Sequence, residues 1–143
     1  MEKTNILKTL NKFLQGQYMG IHAYEDYIQK VNDHYVRKEF QAIQQQHKRN
    51  AEQVAEHIQN LGGKPVDDEG FVGAVTGFIG RFQIPDDTDE IVRSALKGET
   101  KYGIEMSEEM VAGKLDKESR RIIKEIIDMN RKHVEILNQM KHR

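Results

Sequence analysis

Hydrophobic side chains recur along this chain at steps of three and four residues, the spacing that puts them on one face of an α-helix. Four long segments show the pattern: Leu7–Val31, Val36–Leu61, Val92–Met110 and Ile123–Met140. Polar or glycine-containing breaks of a few residues separate the first from the second and the third from the fourth. No segment shows the alternation typical of a strand, so the sequence predicts an all-α fold.

Residues that begin and end helices flank these segments. Gly62 and Gly63, followed by Pro65, are typical of a helix C-terminus. Aspartates that can cap a helix N-terminus precede the second, third and fourth helices: Asp33, Asp87 and Asp116. The two short connections predict two antiparallel helical hairpins.

The connection between the second and third segments, residues 62–86, is much longer than the other two. A long crossover lets the third helix run parallel to the second. Long structureless loops are uncommon in compact domains, so we expect a short helix over residues 71–82. Its glycines would allow close packing on the bundle or against a second subunit. The sequence therefore predicts one domain, residues 1–143, of two hairpins joined by this crossover.

Six polar residues interrupt the apolar faces near the midpoints of the four helices: Gln17, His47, Asn50, Glu99, Asn130 and His133. We call them the polar layer. Each half of the chain supplies one of them from its first helix and a pair three residues apart from its second. Residues three apart lie on one helix face, so we expect a duplicated hairpin that gathers all six at one height. Buried polar groups of this number must bond one another or hold something.

Composition and charge narrow the function classes. Acidic residues (23) and basic residues (22) are interspersed, with a formal net charge of −1, so no basic surface for nucleic acid is expected. The absence of cysteine excludes disulfides and thiolate metal sites. The first residues do not form a secretory signal, and no apolar stretch is long enough to span a bilayer. We expect a cytoplasmic protein.

The polar layer resembles the metal motif of the ferritin-like, rubrerythrin-related superfamily, and three other motifs resemble, within it, an uncharacterised bacterial family of stand-alone ferritin-like domains. They are the Leu-Gly-Gly-Lys-Pro sequence at 61–65, the glycine-bearing stretch at 73–81 and Gly98–Glu99. The resemblance implies a ferritin-like four-helix bundle. It also implies a homo-oligomer, expected to be a dimer that buries a helix face or the crossover.

Two metals in such a bundle are held by a Glu from each of two helices and a Glu-x-x-His pair from each of the other two. The polar layer occupies those six positions, but only Glu99 and His133 match the residue type. One carboxylate therefore stands where four would neutralise two divalent cations. Amides are poor ligands for transition metals, so a standard di-iron site is disfavoured.

Three interpretations of the polar layer stay open, in decreasing order of weight. The first is a metal-free hydrogen-bond network inside a non-catalytic structural or binding module. The second is a single zinc or non-haem iron ion held by His47, Glu99 and His133. The other three residues of the layer would then orient the ligands: Gln17, Asn50 and Asn130.

The third interpretation is a di-iron protein that oxidises iron or reduces peroxide, using carboxylates such as Glu25 or Glu52. It ranks last because both fall off the apolar face of their helices. No catalytic residue stands out, so the sequence favours a protein without turnover. We expect His57 to be a satisfied core histidine, and Tyr24 and Tyr102 to pack in the core with their hydroxyls bonded.

Overall fold

The computed structural model describes residues 3–67 and 84–141. These residues form helices in the following order: α1 (Lys3–Lys30), α2 (His34–Asn60), α3 (Thr88–Gly98), a π-helical segment (Glu99–Glu105), α4 (Met106–Ala112) and α5 (Lys117–Met140). The π segment joins α3 to α4, and the three together make the third helix of a four-helix bundle. The described residues contain no strand, and the predicted all-α bundle is confirmed.

Local sequence explains where the helices begin and end. The carboxylates of Asp33, Asp87 and Asp116 each accept a hydrogen bond from the backbone N–H three residues later, at 3.0, 3.2 and 3.1 Å. Each bond satisfies one of the N–H groups that a helix leaves without a partner in its first turn. At the end of α2, Gly62 has a φ of 86°, a left-handed conformation that glycine adopts without strain.

Two apolar clusters fill the bundle. One contains Phe40 and Ile91, near the starts of α2 and α3, and the other contains Ile58 and Val111, near the ends of α2 and α4. The second helix and the third therefore start in one cluster and finish in the other. They run parallel, as expected for hairpins joined by a long crossover.

The third helix departs from the regular α-helix that its periodicity predicts. The Met106 N–H bonds the Lys101 carbonyl, five residues back, which is the π-helical pattern. Because a π turn inserts an extra residue, the inward face moves on by one position. Ser107 and Val111 are buried, whereas the expected core positions Met106 and Met110 are half-buried. After the π segment, the predicted core register was wrong by one residue.

The connection between α2 and α3 is held by α1 at both of its described ends. The Asn11 side chain accepts a hydrogen bond from the Val66 N–H at 2.8 Å. At the other end, Lys30 Nζ donates to the Ile84 carbonyl at 2.6 Å. The short helix expected over residues 71–82 lies outside the described residues. Within the described part of the chain, none of the helices has the length and hydropathy needed to cross a membrane.

Candidate metal centre

The polar layer lies between the two apolar clusters, and all six of its residues are buried. Their exposed fractions range from 0% for Asn130 to 6% for His133. The side chains nevertheless do not form one closed ring of hydrogen bonds. Three of them converge on a common point, and the other three have separate roles.

His47, Glu99 and His133 bring their ligand atoms within 4.8 Å of one another. His47 Nε2 lies 2.6 Å from Glu99 Oε1, and His133 Nδ1 lies 3.6 Å from the same oxygen. The two imidazole rings meet edge to face, with their centroids 5.2 Å apart. The contact brings the two hairpins together, since His47 belongs to the first and Glu99 and His133 belong to the second.

Tyr24 is a fourth residue of this centre. Its hydroxyl donates a hydrogen bond to Glu99 Oε1 at 2.9 Å, and its ring packs edge to face on Phe40. The prediction of a core tyrosine with a bonded hydroxyl is therefore confirmed, but the sequence did not identify the partner. Tyr24 follows Gln17 by seven residues, two helical turns, which puts both on the same face of α1. Tyr102, which was also expected to pack in the core, is half-buried.

Charge in the centre depends on the balance between burial and neighbouring groups. Burial raises the pKa of the Glu99 carboxyl, but the charges and N–H groups of His47 and His133 outweigh it and lower that pKa to about 2. Burial also raises the pKa of the Tyr24 hydroxyl, and the nearby Glu99 charge raises it further. The carboxylate is thus ionised, with the tyrosine as a neutral donor beside it.

Of the three residues expected to orient the ligands, one contacts a candidate ligand directly. Gln17 Oε1 lies 3.3 Å from His47 Nδ1, which leaves the other ring nitrogen facing Glu99. Asn50 accepts a hydrogen bond from Gln46 at 2.9 Å. The Asn130 side chain instead donates to the Gly103 carbonyl at 2.9 Å.

Four buried side-chain atoms of the polar layer have no hydrogen-bond partner within the described structure: Asn50 Nδ2, Glu99 Oε2, Asn130 Oδ1 and His133 Nδ1. Buried polar atoms of this kind are rare in native proteins and usually indicate a water or an ion. Two of the four belong to the converging group. His133 Nδ1 and Glu99 Oε2 therefore have free capacity for a ligand.

The structure keeps the other candidate residues out of this centre. His57 Nε2 lies 2.8 Å from Ser119 Oγ, and both residues are buried, so the prediction of a satisfied core histidine is confirmed. Glu25 and Glu52 are exposed. Glu25 Oε1 accepts a hydrogen bond from Gln44 at 3.2 Å.

The donor set suits one ion better than two. Zinc binds nitrogen and oxygen at about 2.1 Å, so its tetrahedral ligand atoms are about 3.4 Å apart. The distances from Glu99 Oε1 to His47 Nε2 and His133 Nδ1, 2.6 and 3.6 Å, bracket that value. Glu99 is the one carboxylate in the group. One carboxylate would neutralise only a quarter of the positive charge of two divalent ions. The residues therefore do not fit the two-metal site of ferritin-like bundles.

Two solved structures share the fold. A two-domain protein of Anabaena variabilis, with DJ-1/ThiJ/PfpI-like and ferritin-like domains, is 23% identical, with a TM-score of 0.80 over 99% of this chain and 37% of that one. A dodecameric thioferritin, the bacterioferritin-related protein of Bacteroides fragilis, is 17% identical, with a TM-score of 0.77 over 97% of this chain and 85% of that one. This chain spans little more than a third of the first protein. At these identities the likeness shows the ferritin-like fold alone.

One of the two sequence comparisons gives a match. A search of curated proteins gives no significant match. The model of a family described as a domain of unknown function, DUF2383, matches residues 5–113, which is most of the chain. The resemblance to a ferritin-like family is thus confirmed, and the chain belongs to the DUF2383 family.

Proposed function

We propose that this protein is a ferritin-like module that binds one divalent metal ion, zinc or iron, through His47, Glu99 and His133. The observation that carries the proposal is the pair of unpartnered buried atoms, His133 Nδ1 and Glu99 Oε2, within a group whose ligand atoms lie within 4.8 Å. Each unsatisfied buried polar atom costs about 1–3 kcal/mol. A bound cation would satisfy both.

A metal-free network is the competing interpretation. It is supported by the contacts that Glu99 Oε1 already makes with His47 and Tyr24, at 2.6 and 2.9 Å. It gives no partner to Glu99 Oε2 and leaves His133 Nδ1 with a long contact of 3.6 Å to Glu99 Oε1. We therefore rank a single metal above the network, in reverse of the order that the sequence alone favours.

We infer specific roles for the residues around the ion. Two imidazoles and one carboxylate hold it, and a bound zinc or iron ion supplies a Lewis acid or, for iron, a redox centre. Gln17 holds His47 by its Nδ1, 3.3 Å away, so that Nε2 faces the ion. Tyr24 donates to Glu99 and limits the rotation of its carboxylate.

A binding role without turnover fits this centre better than catalysis. The three ligand residues are 4–6% exposed, and the hydroxyl that bonds Glu99 is that of the buried Tyr24. A substrate would have to displace packed side chains to reach the ion. The proposal therefore places the metal in a structural or storage role.

Elemental analysis of protein purified without chelator tests the proposal. We expect about one equivalent of zinc or iron in the wild type and less than a tenth of that in the His47→Ala/His133→Ala double variant. His57→Ala is the matched control, because His57 is also buried but bonds Ser119. Wild-type protein that stays metal-free after incubation with zinc and ferrous iron would establish the network instead. Two equivalents of iron with an oxo-bridged absorption band on aeration would establish the di-iron alternative.

We also propose that the protein self-associates. The supporting observation is that a solved structure with the same fold is described as dodecameric. The dimer expected from the sequence is the smallest assembly to look for. Sedimentation velocity at increasing concentration measures the mass directly. A species that remains at the 16.6 kDa of one chain over the whole range would reject self-association.

A further inference from the structure

Glu99 and Gly103 both lie in the π segment, and both contact the middle of α5. A Cβ atom built on Gly103 would lie 3.0 Å from Glu99 Oε2 and 3.2 Å from Asn130 Nδ2. Both distances are shorter than ordinary van der Waals contact, so any side chain at position 103 would push against one or both of these groups. Glycine is what lets the π-segment backbone approach the Glu99 carboxylate and the Asn130 amide together.

Asn130 is connected to the same point by a hydrogen bond. Its Nδ2 donates to the Gly103 carbonyl at 2.9 Å. A carboxylate at position 130, which the two-metal pattern would require, has no hydrogen to donate to that carbonyl. The amide is therefore suited to holding the backbone of the π segment.

The consequence of this contact is the placement of Glu99. The carboxylate is the first side chain of the π segment, and its Oε1 lies within 3.6 Å of both imidazoles. If the segment returned to regular α-helical geometry, the residues after Glu99 would rotate by one position. Gly103 would then no longer lie against the Glu99 carboxylate, and the Asn130 amide would lose the Gly103 carbonyl as its acceptor.

We propose that Gly103 and Asn130 are positioning residues of the metal site. The amide fixes the π segment, and the missing side chain at position 103 leaves the Glu99 carboxylate room to face both histidines. Neither residue contacts the ion. This inference rests on the proposed metal-binding function for its affinity readout, but it also has a readout in the metal-free protein.

The first test replaces glycines of the same bundle helix. Gly103→Ala should lower zinc affinity about tenfold or more, because displaced outer contacts cost metal sites factors of 10–100. Gly98→Ala is the matched control, since a Cβ at Gly98 meets nothing within 4 Å. We expect its zinc affinity to stay within about twofold of wild type. Equal affinities for the two variants, measured by competition with a chromophoric chelator, would overturn the proposal for Gly103.

The second test replaces the two buried asparagines of the polar layer by leucine, a side chain of similar size. Asn130→Leu removes the bond to the Gly103 carbonyl, whereas Asn50→Leu removes only a bond to Gln46. Zinc affinity should fall about tenfold in the first and by less than about twofold in the second. Similar losses in both variants would show a general effect of the layer and reject a special role for Asn130.

NMR of the histidine ring protons in the metal-free protein tests the positioning role of Gly103 and Asn130 separately from metal binding. The 2.6 Å contact between His47 Nε2 and Glu99 Oε1 should give a strongly shifted ring proton. Gly103→Ala and Asn130→Leu should move or broaden that signal, while Gly98→Ala and Asn50→Leu should leave it in place. If wild type binds no metal but the signal moves, the proposed function fails and the positioning role stands. If the signal does not move in either variant, the positioning role fails whatever the metal result.

Discussion

The two hairpins of this bundle follow the sequence pattern to different degrees. In the first, α1 and α2 are uninterrupted, and their predicted core positions are buried except for Leu7, Ile21 and Leu61, which are half-buried. In the second, the helix that carries Glu99 changes to π-helical geometry at that residue, and its buried face moves by one position. The candidate ligands divide in the same way, since the regular hairpin supplies His47 and the irregular one supplies Glu99 and His133. The hairpin with the irregular helix thus supplies two of the three candidate ligands.

The difference has a physical cause in the packing of the third helix. The Ser107 hydroxyl donates to the Tyr102 carbonyl, five residues back, and Asn130 donates to the Gly103 carbonyl. Side chains therefore satisfy backbone carbonyls around the π turn, and α5 holds one of them. The first hairpin has a Gln at the position equivalent to Glu99, which bonds His47 from a regular helix.

The largest effect should come from the irregular hairpin. Glu99→Gln keeps the shape of the side chain but removes the single carboxylate of the group, so zinc affinity should fall by more than about 100-fold. Glu25→Gln, on an exposed face of the regular hairpin, is the control and should bind as wild type does. Zinc competition titrations give both values. Near-normal affinity in Glu99→Gln would mean that the two hairpins do not differ in their importance for binding.

The second prediction tests the shifted register. Val111→Ala should destabilise the protein by about 2 kcal/mol, the cost of removing two buried methyl groups. Met106→Ala should cost less than about 1 kcal/mol, because Met106 is only half-buried. Urea unfolding of the metal-free variants measures both. If the helix were regular throughout, Met106 would face the core and the order of the two effects would reverse.

A smaller loss of affinity is expected from the regular hairpin. Gln17→Leu removes the contact that holds His47 Nδ1, so zinc affinity should fall about tenfold. Gln44→Leu provides a matched control, since Gln44 is also buried but bonds the Ile21 carbonyl and Glu25. Chelator competition again reports the result. A loss in Gln17→Leu as large as in Glu99→Gln would contradict the greater weight given to the second hairpin.

What the sequence could predict follows the same division. Periodicity and capping aspartates predict the helices, the hairpins and the burial of the polar layer, because each depends on local spacing. The π segment depends on side chains far along the chain, such as the Asn130 bond to Gly103, 27 residues away. The bond from Tyr24 to Glu99 spans 75 residues. Long-range contacts of this kind leave no periodic trace, so the sequence predicted which residues form the layer but not how they pair.

The two hairpins also meet by polar contact at the start of α5. His57 of the first hairpin bonds Ser119 of the second, whose backbone N–H bonds the capping Asp116. Burial raises the pKa of Asp116, but hydrogen bonds from Ser119 outweigh it and keep that pKa below its usual value. A carboxyl with a lowered folded-state pKa stabilises the fold above its unfolded pKa. That contribution is lost as the pH falls through the folded value.

We therefore expect Asp116 to make the stability of metal-free protein fall at acidic pH, below the usual range of aspartate. Asp116→Asn should lessen that fall while keeping the helix cap, because asparagine caps as well as aspartate does. The difference should be under about 1 kcal/mol, given the solvent screening of a partly exposed group. Thermal unfolding from pH 7 to pH 3 measures it in both proteins. Parallel curves would show that the Asp116 charge beside the His57–Ser119 contact does not contribute to the stability of the fold.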